Sequence, residues 1–280
     1  MGNNVVDYMP DSLSGLDHGV VTTKTLVIGP VRFFFRVEHS LATSVLFEGD
    51  RVERYLTALV RLLRRSSNDG RNGVRVRVIE NQNRKCLPES RMAPITPSNV
   101  NSGYTDFSEE RSYDIVIYRC EEFLKVLCHE LLHFWDDTSG TTMDAAVDRI
   151  TMDALDRAYC ERFGMRPDRV RLSIYESITE LRATCLNAII CTDGSSDDEV
   201  RSALTKEYAH SRMVCRKLAW HFKGDLQKWS ETTHAFSYYV VKMWLLGLLL
   251  KKRSYGYIHF PKKYAPSKDC GIRMTTLEFK

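Results

Sequence analysis

The chain has 280 residues, of which 43% are hydrophobic and 27% charged, and its formal net charge is +4. These are ordinary proportions for a soluble globular protein with room for one large domain or two lobes. So mild a positive balance gives no argument, on charge alone, for a nucleic-acid partner.

Eight cysteines stand at 86, 120, 128, 160, 185, 191, 215 and 270, with no C-x-x-C pair among them. Cys128, Cys160, Cys185 and Cys215 fall in apolar helical runs, where a free thiol behaves as a small hydrophobe. There is no N-x-S/T sequon and no apolar leader. A cytoplasmic or otherwise intracellular, reducing setting is expected.

Residues 1–24 are polar and mixed, a loosely held lead-in. Thr25 to Val37 is rich in β-formers and broken by Gly29-Pro30, which predicts a strand pair or a bent strand. Asp50 is placed to cap a helix from Arg51 to Arg65 whose apolar face carries Val52, Tyr55, Leu56, Leu59, Val60, Leu62 and Leu63. Val74, Val76 and Val78 alternate with Arg75 and Arg77, as in a strand with one wet face. Residues 82–107 hold Pro88, Pro94, Pro97 and Gly103 with little periodicity, which predicts a long loop of the kind that carries substrate contacts. Tyr113 to Tyr118 is a second compact strand.

Beyond residue 137 the pattern turns helical: 142–163, about 168–190, 197–222 and 232–250. The run from Phe236 to Leu250 includes Lys242 and falls short of the roughly 20 residues that span a bilayer, so a buried core helix is expected and no transmembrane span. The chain thus divides into a lead-in (1–24), an α/β lobe (25–137), a helical lobe (138–250) and a tail (251–280). The tail mixes Lys251, Lys252, Arg253, Lys262, Lys263 and Lys268 with Tyr255, Tyr257, His259, Phe260 and Tyr264.

Between the second compact strand and the helical lobe lies Cys128-His129-Glu130-Leu131-Leu132-His133-Phe134-Trp135, an H-E-x-x-H pattern in an apolar run without Gly or Pro. On a helix, residues four apart share a face, so His129 and His133 can grip one ion from the same side. Glu130, on the adjacent face, can reach a water held by that ion. The flanking residues are apolar almost all round, which predicts a buried helix, and buried imidazoles need partners.

A catalytic zinc site needs a third protein ligand and an open position. A histidine six residues after His133, the metzincin solution, is excluded because Asp136 and Ser139 stand at the required Gly and His places. Asp144, in Gly140-Thr141-Thr142-Met143-Asp144, comes one residue too late for the aspartate-ligated type. A glutamate on a later helix remains, and Ile174-Tyr175-Glu176-Ser177-Ile178-Thr179-Glu180-Leu181 offers two.

Together the two stretches resemble the gluzincins, the thermolysin-like zinc peptidases of the zincin fold. In that pattern the ligand glutamate precedes a small residue, and an acid four places on orients a ligand histidine. The resemblance implies Glu176 as ligand beside Ser177, with Glu180 behind a histidine. Tyr175 stands where Asn is usual, and Glu180 where Asp is. Ser173-x-x-Glu176 also reads as a capping box, which would occupy Glu176 and leave the ligand role to Glu180.

The resemblance further implies an α+β fold: a small twisted sheet over the motif helix, then a mostly helical lobe. It implies one Zn²⁺ on His129, His133 and a glutamate, a protein or peptide substrate, and Glu130 as the general base acting on water. An oxyanion donor would come from the helical lobe, where His234, Tyr238 and Tyr239 are candidates, with His234 and Tyr238 sharing a helical face.

Two rival functions are weighed against the peptidase. One is a zincin-fold scaffold or binding protein without activity, against which the intact Glu130 speaks. The other is contact of the basic, aromatic tail with an anionic membrane or a nucleic acid, which would weaken steeply with salt.

Overall fold

The computed structural model describes residues 20–39, 46–47, 49–63, 73–80, 84–108, 111–138, 145–192 and 196–251. The lead-in up to residue 19, Asp144 and the tail beyond Lys251 lie outside the described residues.

The fold is α+β. Strand β1 (Val20–Ile28) turns at Gly29-Pro30 into β2 (Val31–His39), an antiparallel pair. The strand begins at Val20, before the expected Thr25, so residues 20–24 belong to the sheet and not to a lead-in. Gly29 makes the reversal at φ +57, a conformation only glycine adopts cheaply. Helix α1 (Arg51–Leu62) then crosses to β3 (Gly73–Ile79), which lies parallel to β2. Asp50 makes no side-chain capping bond to α1; it pairs with Arg54 at 2.7 Å instead.

The expected long loop contains regular structure. A short helix α2 (Pro97–Val100) is followed by β4 (Gly103–Thr105), which pairs antiparallel with β5 (Ile115–Ile117). The strand order is β1-β2-β3-β5-β4, with β5 parallel to β3 and β4 at the edge. Gly103 is needed there because a Cβ would meet the Val116 backbone oxygen at 2.8 Å. Three residues are too few to show a period of two, which is why β4 left no trace in the sequence.

On the sheet's inner face Phe33, Phe35, Val37, Val74, Val76 and Val78 are buried with α1 and with α3 (Phe123–Thr138), the motif helix. The outer face carries Arg75 and Arg77, each answered by a carboxylate: Asp114 and Glu38.

Four further helices follow: α4 (Ala145–Arg162), α5 (Ile174–Cys191), α6 (Asp197–His221) and α7 (Lys242–Lys251). Helix α5 starts later than about 168 because Ser173 caps it, its Oγ accepting from Glu176 N at 3.2 Å. Asp156 Oδ1 accepts from Ile174 N at 2.7 Å and closes the same end. A second core forms around Trp229, Phe222, Phe236 and Ile95, whose backbone is tied to Ser230 and Thr232. The expected 232–250 helix begins at 235, after bends at 232–234, and is continuous from there. A π-helical turn at Ser237–Val241 precedes α7. No helix among the described residues is long and apolar enough to cross a membrane.

Candidate metal centre

Helix α3 follows β5 after a five-residue link and runs beneath the sheet with nearly every side chain covered. Leu127, Cys128, Leu131, Leu132, Phe134 and Trp135 are buried and fix its rotation. That rotation points His129 and His133 at α5. The helices are further tied by Arg182, which donates to Asp136 Oδ2 at 2.6 Å.

Between the helices three donor atoms meet. His129 Nε2 and His133 Nε2 are 3.0 Å apart, and Glu176 Oε2 lies 3.2 Å from His133 Nε2 and 3.5 Å from His129 Nε2. A tetrahedral ion with bonds of 2.0–2.1 Å has ligand atoms about 3.3 Å from one another. The three edges bracket that figure. Two imidazole nitrogens and one carboxylate oxygen are also a donor set that Zn²⁺ favours, so the residues fit the ion.

Glu180 is placed differently. Its Oε2 meets the other nitrogen of His129, Nδ1, at 2.9 Å, and its Oε1 pairs with Lys125. A carboxylate at Nδ1 keeps the proton there and turns Nε2 toward Glu176 and His133. Despite burial the two glutamates push the ring's pKa up to about 10, so an ion would displace a proton from Nε2. One turn of α5 therefore sets Glu176 at the convergence point and Glu180 behind a histidine. The capping arrangement at Ser173 uses the backbone amide of Glu176 and leaves its carboxylate to the histidines.

The electrostatics follow from burial. Burial raises the Glu176 carboxyl, but His133 and His129 outweigh it and hold the group well below the ordinary carboxylate range. Glu180 is likewise driven up by burial and further down by Lys125 and His129. Glu130 moves the other way: burial pushes its carboxyl above the usual value despite both histidines and Thr105. Thr105 Oγ1 sits 2.8 Å from Glu130 Oε2, so the edge strand β4 holds this side chain in place.

Of the aromatic candidates, Tyr238 packs edge-on to the His129 ring with centroids 6.0 Å apart, and it lines the cleft that exposes His129 and Glu130. Tyr239 lines the same cleft. Consecutive residues of an α-helix point about 100° apart; the π-turn brings both tyrosines to one opening. His234 does not line the cleft, and its Nδ1 meets the Arg171 carbonyl oxygen at 2.5 Å. Its ring packs edge-on to Tyr238 with centroids 6.3 Å apart.

Residues not singled out from the sequence also meet here. Thr105 came from the stretch expected to be loop, and Lys85, Lys125 and Ser102 had no motif to mark them. Lys242 had a signal: a lysine inside an apolar run is buried only with a partner, and Glu207 Oε1 is 3.0 Å from its Nζ.

No family model, curated protein or solved structure matches this chain.

Proposed function

We propose that the protein is a zinc-dependent peptidase of zincin type, with His129, His133 and Glu176 holding one ion and Glu130 as the general base. The observation that carries this reading is the triangle of two imidazole nitrogens and one carboxylate oxygen with edges of 3.0, 3.2 and 3.5 Å. When bound, zinc supplies Lewis acidity, which polarises a carbonyl and brings water toward ionisation near neutral pH.

The chain's own groups do the rest. Glu130 takes a proton from the attacking water as the new C–O bond forms. It returns that proton to the nitrogen as the C–N bond breaks. Burial suits it to both steps, because a carboxylate of raised proton affinity is a better base and can hold the proton between them. Thr105 keeps the carboxylate aimed. Tyr238, at the same opening, donates its hydroxyl to the carbonyl oxygen as that oxygen gains charge. Among the described residues strand β4 has a sheet neighbour on one side only, so an extended peptide can add along its other edge.

Two measurements test the reading. Elemental analysis of the purified protein should find one zinc per chain. Glu130→Gln should retain that zinc and lose peptide hydrolysis by about 10²–10⁴-fold. Protein without stoichiometric zinc, or a variant as active as the parent, would defeat it.

A further inference from the structure

The cleft beside Glu130 carries more positive side chains than the proposed chemistry uses. Lys85, Lys125 and Lys242 all line it. Two are fully engaged. Lys125 pairs with Glu180, and Lys242 Nζ donates to Glu207 Oε1 and to Ser211 Oγ, both at 3.0 Å.

Lys85 is not engaged in this way. Its side chain is only 9% exposed, yet the nearest carboxylate oxygen, Glu122 Oε2, is 3.7 Å from Nζ, outside hydrogen-bonding distance. Glu121 is close as well, but its Oε1 accepts from the backbone nitrogen of Lys85. A buried ammonium with so loose a partner is costly. Burial accordingly pulls its proton affinity below that of an ordinary lysine.

A second buried group on the same wall lacks a partner. Ser102 lines the cleft and is 6% exposed, and its Oγ makes no hydrogen bond. The two segments are joined, since Cys86 N donates to the Asn99 carbonyl oxygen at 3.1 Å. Glu130 and Glu180 line the cleft as well, whereas Glu122 and Glu207 line a neighbouring cavity that shares Lys125. Of the three lysines on the cleft, Lys85 is the one whose carboxylate partner lies beyond hydrogen-bonding distance.

We propose that this cleft is a substrate subsite for a carboxylate, which Lys85 receives as an ion pair and Ser102 as a hydrogen-bond donor. The group comes from an acidic side chain next to the bond cleaved, or from the α-carboxylate of a peptide's C-terminus. The proposal deepens the peptidase reading and rests on it for the name of the substrate. The carboxylate site itself can be measured independently.

Binding is the first arm. N-acetylglutamate titrated into the zinc-loaded full chain should bind at least about tenfold more tightly than N-acetylglutamine amide, as a charge-assisted contact requires. Lys85→Met should remove that difference and Lys85→Arg should keep part of it, with zinc content and thermal midpoint checked for each. Equal binding of the two compounds by the parent protein overturns the proposal, and that comparison needs no variant.

Kinetics is the second arm. Four otherwise identical peptides, with Glu or Gln beside the scissile bond and with free or amidated C-termini, separate the two sources. The charged peptide of the correct kind should gain about tenfold in kcat/KM, mainly through KM, and lose that gain in Lys85→Met. Hydrolysis at one rate for all four overturns the subsite and leaves the peptidase standing. Carboxylate binding without hydrolysis of any peptide would sink the peptidase and leave the subsite.

Discussion

Glu176 and Glu180 are one helical turn apart on α5 and carry the same functional group, yet their surroundings give them different work. Glu176 Oε2 faces both ε-nitrogens, whereas Glu180 holds a δ-nitrogen and a lysine. Glu176→Gln removes the only negative donor of the proposed ligand set. Glu180→Gln leaves that set intact and loosens the orientation of His129. The second substitution should weaken zinc binding by about 10–100-fold and the first by more, read by competition with a chelating dye at fixed pH. Equal losses would mean that the two carboxylates are not divided into ligand and orienting partner. Tyr238→Phe tests a different atom. It keeps the ring against His129 and deletes the hydroxyl, so kcat should fall by about 10²-fold with KM little changed. An unchanged kcat would return Tyr238 to a packing role.

At the scale of elements, the ends of the short strands are held by charge. Asp114 is 4% exposed at its side chain and precedes β5. It accepts from Arg75 N at 2.8 Å, from Arg75 Nη2 at 3.2 Å and from Arg111 Nε at 2.8 Å. Burial would raise its carboxyl, but these donors outweigh burial and hold it below the usual value. Its stabilisation is therefore complete above about pH 4, where the unfolded carboxyl is already ionised, and is lost as the pH falls through the lower folded value. Asp114→Asn should cost about 2 kcal/mol at neutral pH, and the gap from the parent should narrow in acid. Denaturant melts of both proteins at neutral and acid pH check this; a gap independent of pH would contradict it. The same strands show why the sequence was legible only in places. The β-rich run around Gly29-Pro30, the Val74-Val76-Val78 alternation and the motif run are each long enough to impose a period, and each became the element it predicts. β4 is too short for a period, and its pairing with β5 is set by the fold. The π-turn at Ser237–Val241 left no trace either, since a helical pattern cannot announce one extra residue. For the same reason Thr105, Ser102 and Lys85 had no signal: Thr105 reaches Glu130, and Ser102 and Lys85 reach the cleft, only once segments distant in sequence are folded together.

For the whole molecule, α5 is an element that contributes to three of the cores. Ala183 and Ile190 pack into the sheet core, Ile174 into the core around Trp229, and Cys185, Ala188 and Ile189 against α6 and α7. Tyr55 of α1 reaches it as well, donating to Asn187 Oδ1 at 3.1 Å. The proposed ion sits where α5 faces α3, so binding it would add a cross-link between the sheet core and the helices beyond it. Any group that binds only the folded state stabilises it by mass action. Free zinc at 100 times its dissociation constant contributes about 2.7 kcal/mol. At about 2–4 °C per kcal/mol for a chain of this size, the thermal midpoint should rise by roughly 5–10 °C on zinc loading and fall again with chelator. Glu130→Gln should show the full rise, since that side chain is not a ligand on this reading. Glu176→Gln should show little, because the ion loses its only donor from α5 and with it the connection between the two helices. A midpoint in the parent protein that zinc and chelator leave unmoved would mean that no ion bridges α3 and α5.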